Sequence, residues 1–383
     1  MPEDPLIVGI NASRARSGGV MTYIRGILSN VQPEKYGIKE IHIWSYPELL
    51  NSIPDKEFLI KHSPKALNKC LLAQILWEKF LLKRELHKIN CSILFNVTAA
   101  STCRFKPAVT KSSDLLSYEP GIIKLYGFSY ERARILVLKY IQNKSFKHAD
   151  GVIFLTNYAA NIIQKSCGKL SNISIIPHGV NDIFKNINVI DRFPNVINSQ
   201  INCIYVSDIE PYKHQFEVIK AILLLRRRGY KITIKLIGVG RGYRYEHLKR
   251  IVSRIDPNEN IIQLYPFLSH FELISHLINS HIFIFASACE AFGITLLEGM
   301  AAGMPIACSN KSSLPETLKD GGVYFDPESH FSIAEAIEYL IMNPNLAVEL
   351  AKRAKEIASN YSWQKTAEMT FSFIVKTLKG IYK

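Results

Sequence analysis

The chain has 383 residues, 48% hydrophobic and 21% charged, a globular composition that excludes a disordered, collagen-like or disulfide-scaffold protein and suits two α/β domains of roughly 180–200 residues each. No stretch approaches the roughly 20 uninterrupted apolar residues needed to span a bilayer. The start MPEDPLIVGINAS lacks the basic flank and cleavage site of a signal peptide, so a cytoplasmic protein is expected. The net charge is +14 and lopsided: residues 1–180 hold 24 Lys and Arg against 13 Asp and Glu, while residues 181–383 hold 23 against 20. A positive field on one half points to an anionic partner there, whether membrane, nucleic acid or phosphorylated acceptor. The seven cysteines stand singly with no CxxC pair, which fits buried thiols in a reducing compartment rather than a zinc site.

In chain order, short runs rich in Ile, Val and Phe predict strands at 5–10, 41–44, 92–96, 151–156 and 173–177. A second series follows at 202–207, 231–237, 281–287, 304–309 and 322–326. Apolar runs without polar alternation suit strands buried on both faces of parallel sheets. Helical periods fall between them, at 69–88, 130–148, 213–228 and 345–358, and alternating βα units of this kind predict two doubly wound sheets. The stretch PHGVNDIFKNINVIDRFPNVINSQ after Pro177 is Asn-rich without a hydrophobic period and reads as a linker. The expected domains are therefore 1–183 and 184–362. A final helix over 363–383 carries an apolar face of Trp363, Ala367, Phe371, Ile374 and Leu378; it either crosses back to the first domain or caps the second.

The most informative segment is SACEAFGITLLEGMAAGMPIACSN, residues 287–310. A strand ends near Ala286, a turn containing Phe292-Gly293 follows, and a helix opens near Ile294. Free backbone N–H groups and the positive end of the helix dipole then lie at the carboxyl edge of a sheet, which suits a diphosphate. Glu298 falls about one turn into that helix, in reach of ribose hydroxyls, and Glu290 lies before the turn, where a sugar beyond the diphosphate would sit. Carboxylates suit both places because sugar hydroxyls are donors. The small residues Gly299, Ala301, Ala302 and Gly303 favour close helix–sheet packing.

The spacing E-x7-E in EAFGITLLE, followed by GMAAGMPIACSN and SLPE, resembles the donor-site signature of glycosyltransferase family 4. SGGVMTYIRGIL (17–28), PHGV (177–180) and YSWQKTA (361–367) are similar to the family's N-terminal glycine loop, interdomain stretch and terminal crossover helix. The resemblance implies the GT-B fold, two Rossmann-like doubly wound domains facing across a cleft, with a nucleotide diphosphate sugar bound by the second domain and an acceptor by the first. It implies that Gly18 and Gly19 let the backbone approach donor phosphate or sugar. Lys213, in YVSDIEPYKHQ, would neutralise the diphosphate, Glu298 would bind ribose and Glu290 the donor sugar. Gly293, Ile294 and Thr295 would offer backbone groups to the diphosphate. Two positions depart from the family. Ser207-Asp208 stands where an arginine-containing turn is usual, so Ser207 is carried as a donor-binding residue and Arg241, in GVGRGYR, as the replacement cation. Ser113-Asp114, in VTKSSDLLSYEP, stands where many members have His-Asp, leaving Asp114 as a candidate catalytic residue together with Glu290 and Lys213.

LLSYEP and SFKHADGVIFLT are similar to members of bacterial surface-polysaccharide (O-antigen or capsule) assembly. The implied reaction is retaining, front-face transfer of a hexose or deoxyhexose, with GDP-mannose or a related deoxysugar nucleotide preferred. The implied acceptor is a polyprenyl-diphosphate-linked saccharide. No DxD motif is present, so neither metal nor cofactor is expected, and the helix start with Lys213 replaces a metal ion. Residues 65–88 combine Leu71, Ile75, Trp77 and Leu82 with six Lys or Arg, and Lys124, Arg132, Arg134, Lys139, Lys144 and Lys147 follow. Such helices suit peripheral contact with the anionic inner membrane or, for 65–88, ordinary core packing. A nucleotide-sugar epimerase of the same fold is the alternative enzyme. Nucleic-acid binding lacks any zinc-finger, homeodomain or RNP-type signature, and NASRARSGG replaces the GxGxxG of a NAD-linked dehydrogenase.

Overall fold

The computed structural model describes residues 5–16, 18–187, 189, 193, 199–238, 240 and 242–381. The chain divides into two units. The first comprises Met1–Ile123, Gly127–Gly179 and Ser362–Lys383; the second comprises Lys124–Tyr126 and Val180–Tyr361.

The first unit is a seven-stranded sheet of β1 (Leu6–Asn11), β2 (Ile38–Trp44), β3 (Leu59–His62), β4 (Ile93–Asn96), β5 (Ala108–Lys111), β6 (Gly151–Phe154) and β7 (Ile173–Ile175). The order is β3-β2-β1-β4-β5-β6-β7, with every pairing parallel. Two cores flank it. On one face Phe95, Val109 and Ile153 meet the helices Gly18–Asn30 and Trp363–Ile381, the latter through Phe371, Ile374 and Leu378. The terminal helix therefore packs inside the first unit; each such buried side chain contributes about 1.5–3 kcal/mol. Its entry also explains one glycine: a Cβ on Gly179 would lie 2.2 Å from the Trp363 nitrogen.

The opposite face holds Leu94, Trp44 and Ala108 against Trp77, Leu82 and Leu86. Here the expected membrane face of 65–88 needs correction, because Trp77 and Leu82 point into this core. The segment is a helix Leu71–Leu76, a wider π turn Trp77–Leu81 and a helix Leu82–Lys88. It is apolar on two sides, and the exposed row keeps Leu71 of the expected face and adds Leu72, Leu76, Phe80 and Leu81.

The second unit is a six-stranded parallel sheet of β8 (Ile201–Val206), β9 (Ile232–Ile237), β10 (Ile262–Tyr265), β11 (Ile282–Phe285), β12 (Ile306–Ser309) and β13 (Val323–Phe325), in the order β10-β9-β8-β11-β12-β13. Both units are thus doubly wound, as expected. The order reverses between β1 and β4 in the first sheet and between β8 and β11 in the second, and such switch points open ligand crevices at the carboxyl ends of the strands.

Candidate donor and acceptor sites

Each side chain of the second site is placed at the β8/β11 switch point. After β8, Ser207 Oγ accepts from Gln215 Nε2 at 3.0 Å, and the same amide donates to the Asp208 carbonyl at 2.6 Å. Gln215 thereby holds the Ser207-Asp208 turn in place. Lys213 ends a 3₁₀ turn begun by Pro211, where Tyr205 Oη donates to its carbonyl at 2.8 Å. After β11, Glu290 is clamped by its backbone: its N–H donates to Ser312 Oγ, and its carbonyl accepts from the Ser312 and Ser313 hydroxyls at 2.9 and 2.7 Å.

These two turns bring Lys213 Nζ within 2.5 Å of Glu290 Oε1, with Asp208 Oδ1 at 3.9 Å. Burial alone would lower the amine, but Glu290, with Tyr205 and Asp208, outweighs it and holds Lys213 above the ordinary lysine value. The amine is therefore charged throughout the physiological range. A fixed cation beside a fixed carboxylate is a preorganised pair: a cation so held can stabilise developing negative charge, and a carboxylate can accept from hydroxyl donors.

The helix Ile294–Ala301 starts beside them with Gly293 as its N-cap in the left-handed region at φ 88°. Gly293 has no side chain to cap this end, and among the described residues no side-chain cap hydrogen bond is made there, so the N–H groups of Ile294 and Thr295 can face an anion. A side chain at Gly293 would be strained by that φ. Further along, a Cβ on Gly299 would meet the Phe283 ring at 2.9 Å, which is the close helix–sheet approach the small residues foretold.

Glu298 is 6% exposed, with His270 Nε2 3.7 Å from Oε1. Burial pushes its carboxyl up to about 8, so without ligand it holds its proton at neutral pH rather than standing as the carboxylate expected from sequence. The folded form keeps that proton above the pH where the unfolded chain releases it. The associated stability is fully present below about pH 4.5 and is lost as pH rises through about 8. Glu298→Gln has no charge to bury, so its thermal midpoint should match wild type near pH 5 and exceed it by about 3–8 °C near pH 9. Parallel melting curves across that range would contradict the assignment.

Arg241 lies outside the described residues. Its neighbour Arg244 pairs with Glu210 at 3.2 Å, and Tyr126 Oη donates to the same carboxylate at 3.0 Å.

In the first unit, Gly18 and Gly19 open the helix Gly18–Asn30 and are exposed. A Cβ on Gly18 would meet nothing within 4 Å, so packing inside the unit does not call for glycine there. Asp114 is exposed in the loop after β5, with Gln142 Nε2 at 3.5 Å.

Sequence reasoning missed the groups at the carboxyl edge of this sheet. Asn11, ending β1, donates to Glu78 Oε1 at 2.7 Å and to Asn96 Oδ1, ending β4, at 3.0 Å; Arg14 pairs with Glu78 at 2.9 Å. Lys111, ending β5, is fully buried. Its Nζ lies 4.2 Å from the centre of the Tyr23 ring and donates to Ser113 Oγ at 3.3 Å. Burial pulls its amine down to about 7 against the upward pull of Asp114. A polar residue closing an apolar run was the available signal, visible in LFN, VTK and VGIN. His270 carried none.

Residues 189–357 match the sequence profile of the family described as glycosyl transferases group 1. The chain is 25% identical over 169 residues to the O-antigen chain mannosyltransferase B of Escherichia coli, a match covering 44% of either chain. The chain thus spans less than half the length of that curated relative. Among solved structures it resembles sucrose-phosphate synthase from Thermosynechococcus elongatus, with a TM-score of 0.77 at 15% identity over 98% of this chain and all of that one. It also resembles Anabaena HepE in complex with UDP-glucose, with a TM-score of 0.69 at 16% identity over 98% of this chain and all of that one. These likenesses extend the fold to the whole chain.

Proposed function

We propose that the chain is a retaining glycosyltransferase of family 4 type. It moves a hexose or deoxyhexose, a mannose-type sugar from a GDP-sugar being preferred, onto a polyprenyl-diphosphate-linked saccharide of surface-polysaccharide assembly. The observation that carries this reading is the Lys213–Glu290 pair beside an uncapped helix start at the switch point of the second sheet. In this reading the diphosphate lies on the N–H groups of Ile294 and Thr295 with Lys213 beside it, and Glu290 accepts from the sugar hydroxyls. Glu298 meets the ribose, releasing its proton to solvent as hydroxyl donors take its place on the carboxylate.

The acceptor oxygen forms its bond to the anomeric carbon on the face from which the diphosphate departs. The C–O bond to the diphosphate breaks with its electron pair on the leaving oxygen, and the acceptor proton passes to a phosphate oxygen. Lys213 and the helix start stabilise the charge that develops, and neither metal nor cofactor enters the scheme. The first unit takes the acceptor, with Asp114 beside it and the carboxyl-edge groups behind.

The test supplies nucleotide sugars with and without a lipid-linked acceptor and analyses the products by NMR. The reading expects nucleoside diphosphate release that depends on acceptor, and a product whose anomeric configuration equals that of the donor. Conversion of donor without acceptor would instead indicate the epimerase, and an inverted product would overturn the front-face scheme.

A further inference from the structure

We propose that the outer helical layer of the first unit, formed by the segment 71–84 and the helix Tyr130–His148, docks on an anionic phospholipid bilayer.

The two elements lie on the same side of the sheet. Trp77 and Leu82 pack with Leu94 and Ala108, while Phe146 of the second helix packs on Phe154 of β6. The register pairs Leu94 with Ala108 and Thr110 with Val152. Strand side chains alternate, so Leu94, Ala108 and Phe154 share one face. The helix Trp363–Ile381 covers the other face through Phe95, Val109 and Ile153.

What this layer turns outward is large and apolar. Leu72 is 64% exposed and Phe80 53%, followed on the second helix by Val137 at 59% and Tyr140 at 60%. Phe128, in the turn leading into that helix, is fully exposed. The buried side of the helix is taken by Ile135, Gln142, Ser145 and Phe146, and Ala133, Val137, Tyr140 and Lys144 run along the opposite side at helical spacing. Exposed apolar rows of this extent on one layer are unusual for a free surface.

Cations are interleaved with the apolar groups. Lys79 Nζ lies 5.0 Å from the centre of the Phe80 ring and Lys144 Nζ 4.5 Å from that of Tyr140; Lys83 and Arg84 are exposed beside them. Acids are turned away. Glu78 is buried on Arg14 and Asn11, and Glu85 accepts from the indole N–H groups of Trp44 and Trp77. Only Glu131 stands among the six cations from Lys124 to Lys147.

Apolar side chains that reach the acyl boundary, with lysine stems extending back to headgroup phosphates, use both features at once. A protein partner is disfavoured because lysine is depleted in interface cores. A nucleic acid would leave Leu72, Leu76 and Val137 without a role. The surface stands on its own observations, and only its purpose, access to a lipid-linked acceptor, rests on the proposed function.

The test is co-sedimentation of the full chain with vesicles, without donor or acceptor, so that it can fail separately from the transfer reaction. Binding to equimolar phosphatidylcholine–phosphatidylglycerol vesicles should exceed binding to phosphatidylcholine alone by about tenfold or more and weaken in high salt. The variants L72S/L76S/F80S and V137S/Y140S, and separately K79Q/K83Q/K144Q, should each reduce it about tenfold while melting like wild type. Equal binding to both vesicle types, no binding, or undiminished binding by the variants would overturn the proposal. So would a dimer that the serine variants dissolve while vesicle binding persists.

Discussion

Replacing Lys213 with methionine is expected to lower kcat for sugar transfer by about 10²–10³-fold, with a smaller effect on KM for the donor. The amine is nearly buried and held charged by Glu290, so its field acts through little water and, in the proposed arrangement, matters most as the diphosphate leaves. Methionine keeps the stem's apolar packing and removes only the charge. The change also leaves Glu290 without its partner, which costs on the order of 1–3 kcal/mol of stability. Melting temperature must therefore be followed beside turnover. A variant that folds and transfers sugar at the wild-type rate would remove Lys213 from the leaving-group role.

Glu290→Ala should lower kcat/KM by about 10²–10³-fold. This carboxylate meets the donor sugar in the proposed arrangement and also fixes the direction of the Lys213 amine, at 2.5 Å. The two functions separate in the glutamine variant. Glu290→Gln keeps hydrogen bonds to sugar hydroxyls but loses the ionic hold on Lys213, so it should keep donor affinity better than it keeps kcat. Steady-state kinetics of both variants with saturating acceptor checks this. Equal losses in alanine and glutamine would assign the whole effect to charge.

Much of the fold was legible because buried parallel strands leave uninterrupted apolar runs, and ten of these were visible. The three strands that were not, β3, β5 and β10, are short and end in or alternate with polar groups: Leu59–His62, Ala108–Lys111 and Ile262–Tyr265. β5 was hidden because its apolar run is only Ala108-Val109 before Thr110 and the buried Lys111. In the second unit the strand, turn and helix start that place Glu290, Gly293 and Glu298 were legible because they follow one another closely in the sequence.

Contacts made across long sequence separations were not legible. The grip of Ser312 and Ser313 on the Glu290 backbone spans more than twenty residues, and His270 reaches Glu298 from another βα unit. The two-sided helix over 71–88 shows a different limit. Periodicity reveals that it is apolar but not which apolar row the sheet takes, and the π turn at Trp77–Leu81 shifts the phase between its halves.

In the proposed arrangement the second unit binds a nucleoside diphosphate through the Lys213–Glu290 pair and the helix start at Gly293. Calorimetric titration of UDP, GDP, ADP and their monophosphates into the unmodified chain and Lys213→Met tests it most directly. At least one diphosphate should bind about tenfold or more tightly than its monophosphate, and Lys213→Met should abolish that difference. Failure of every diphosphate to bind, or an unchanged preference in Lys213→Met, would contradict it.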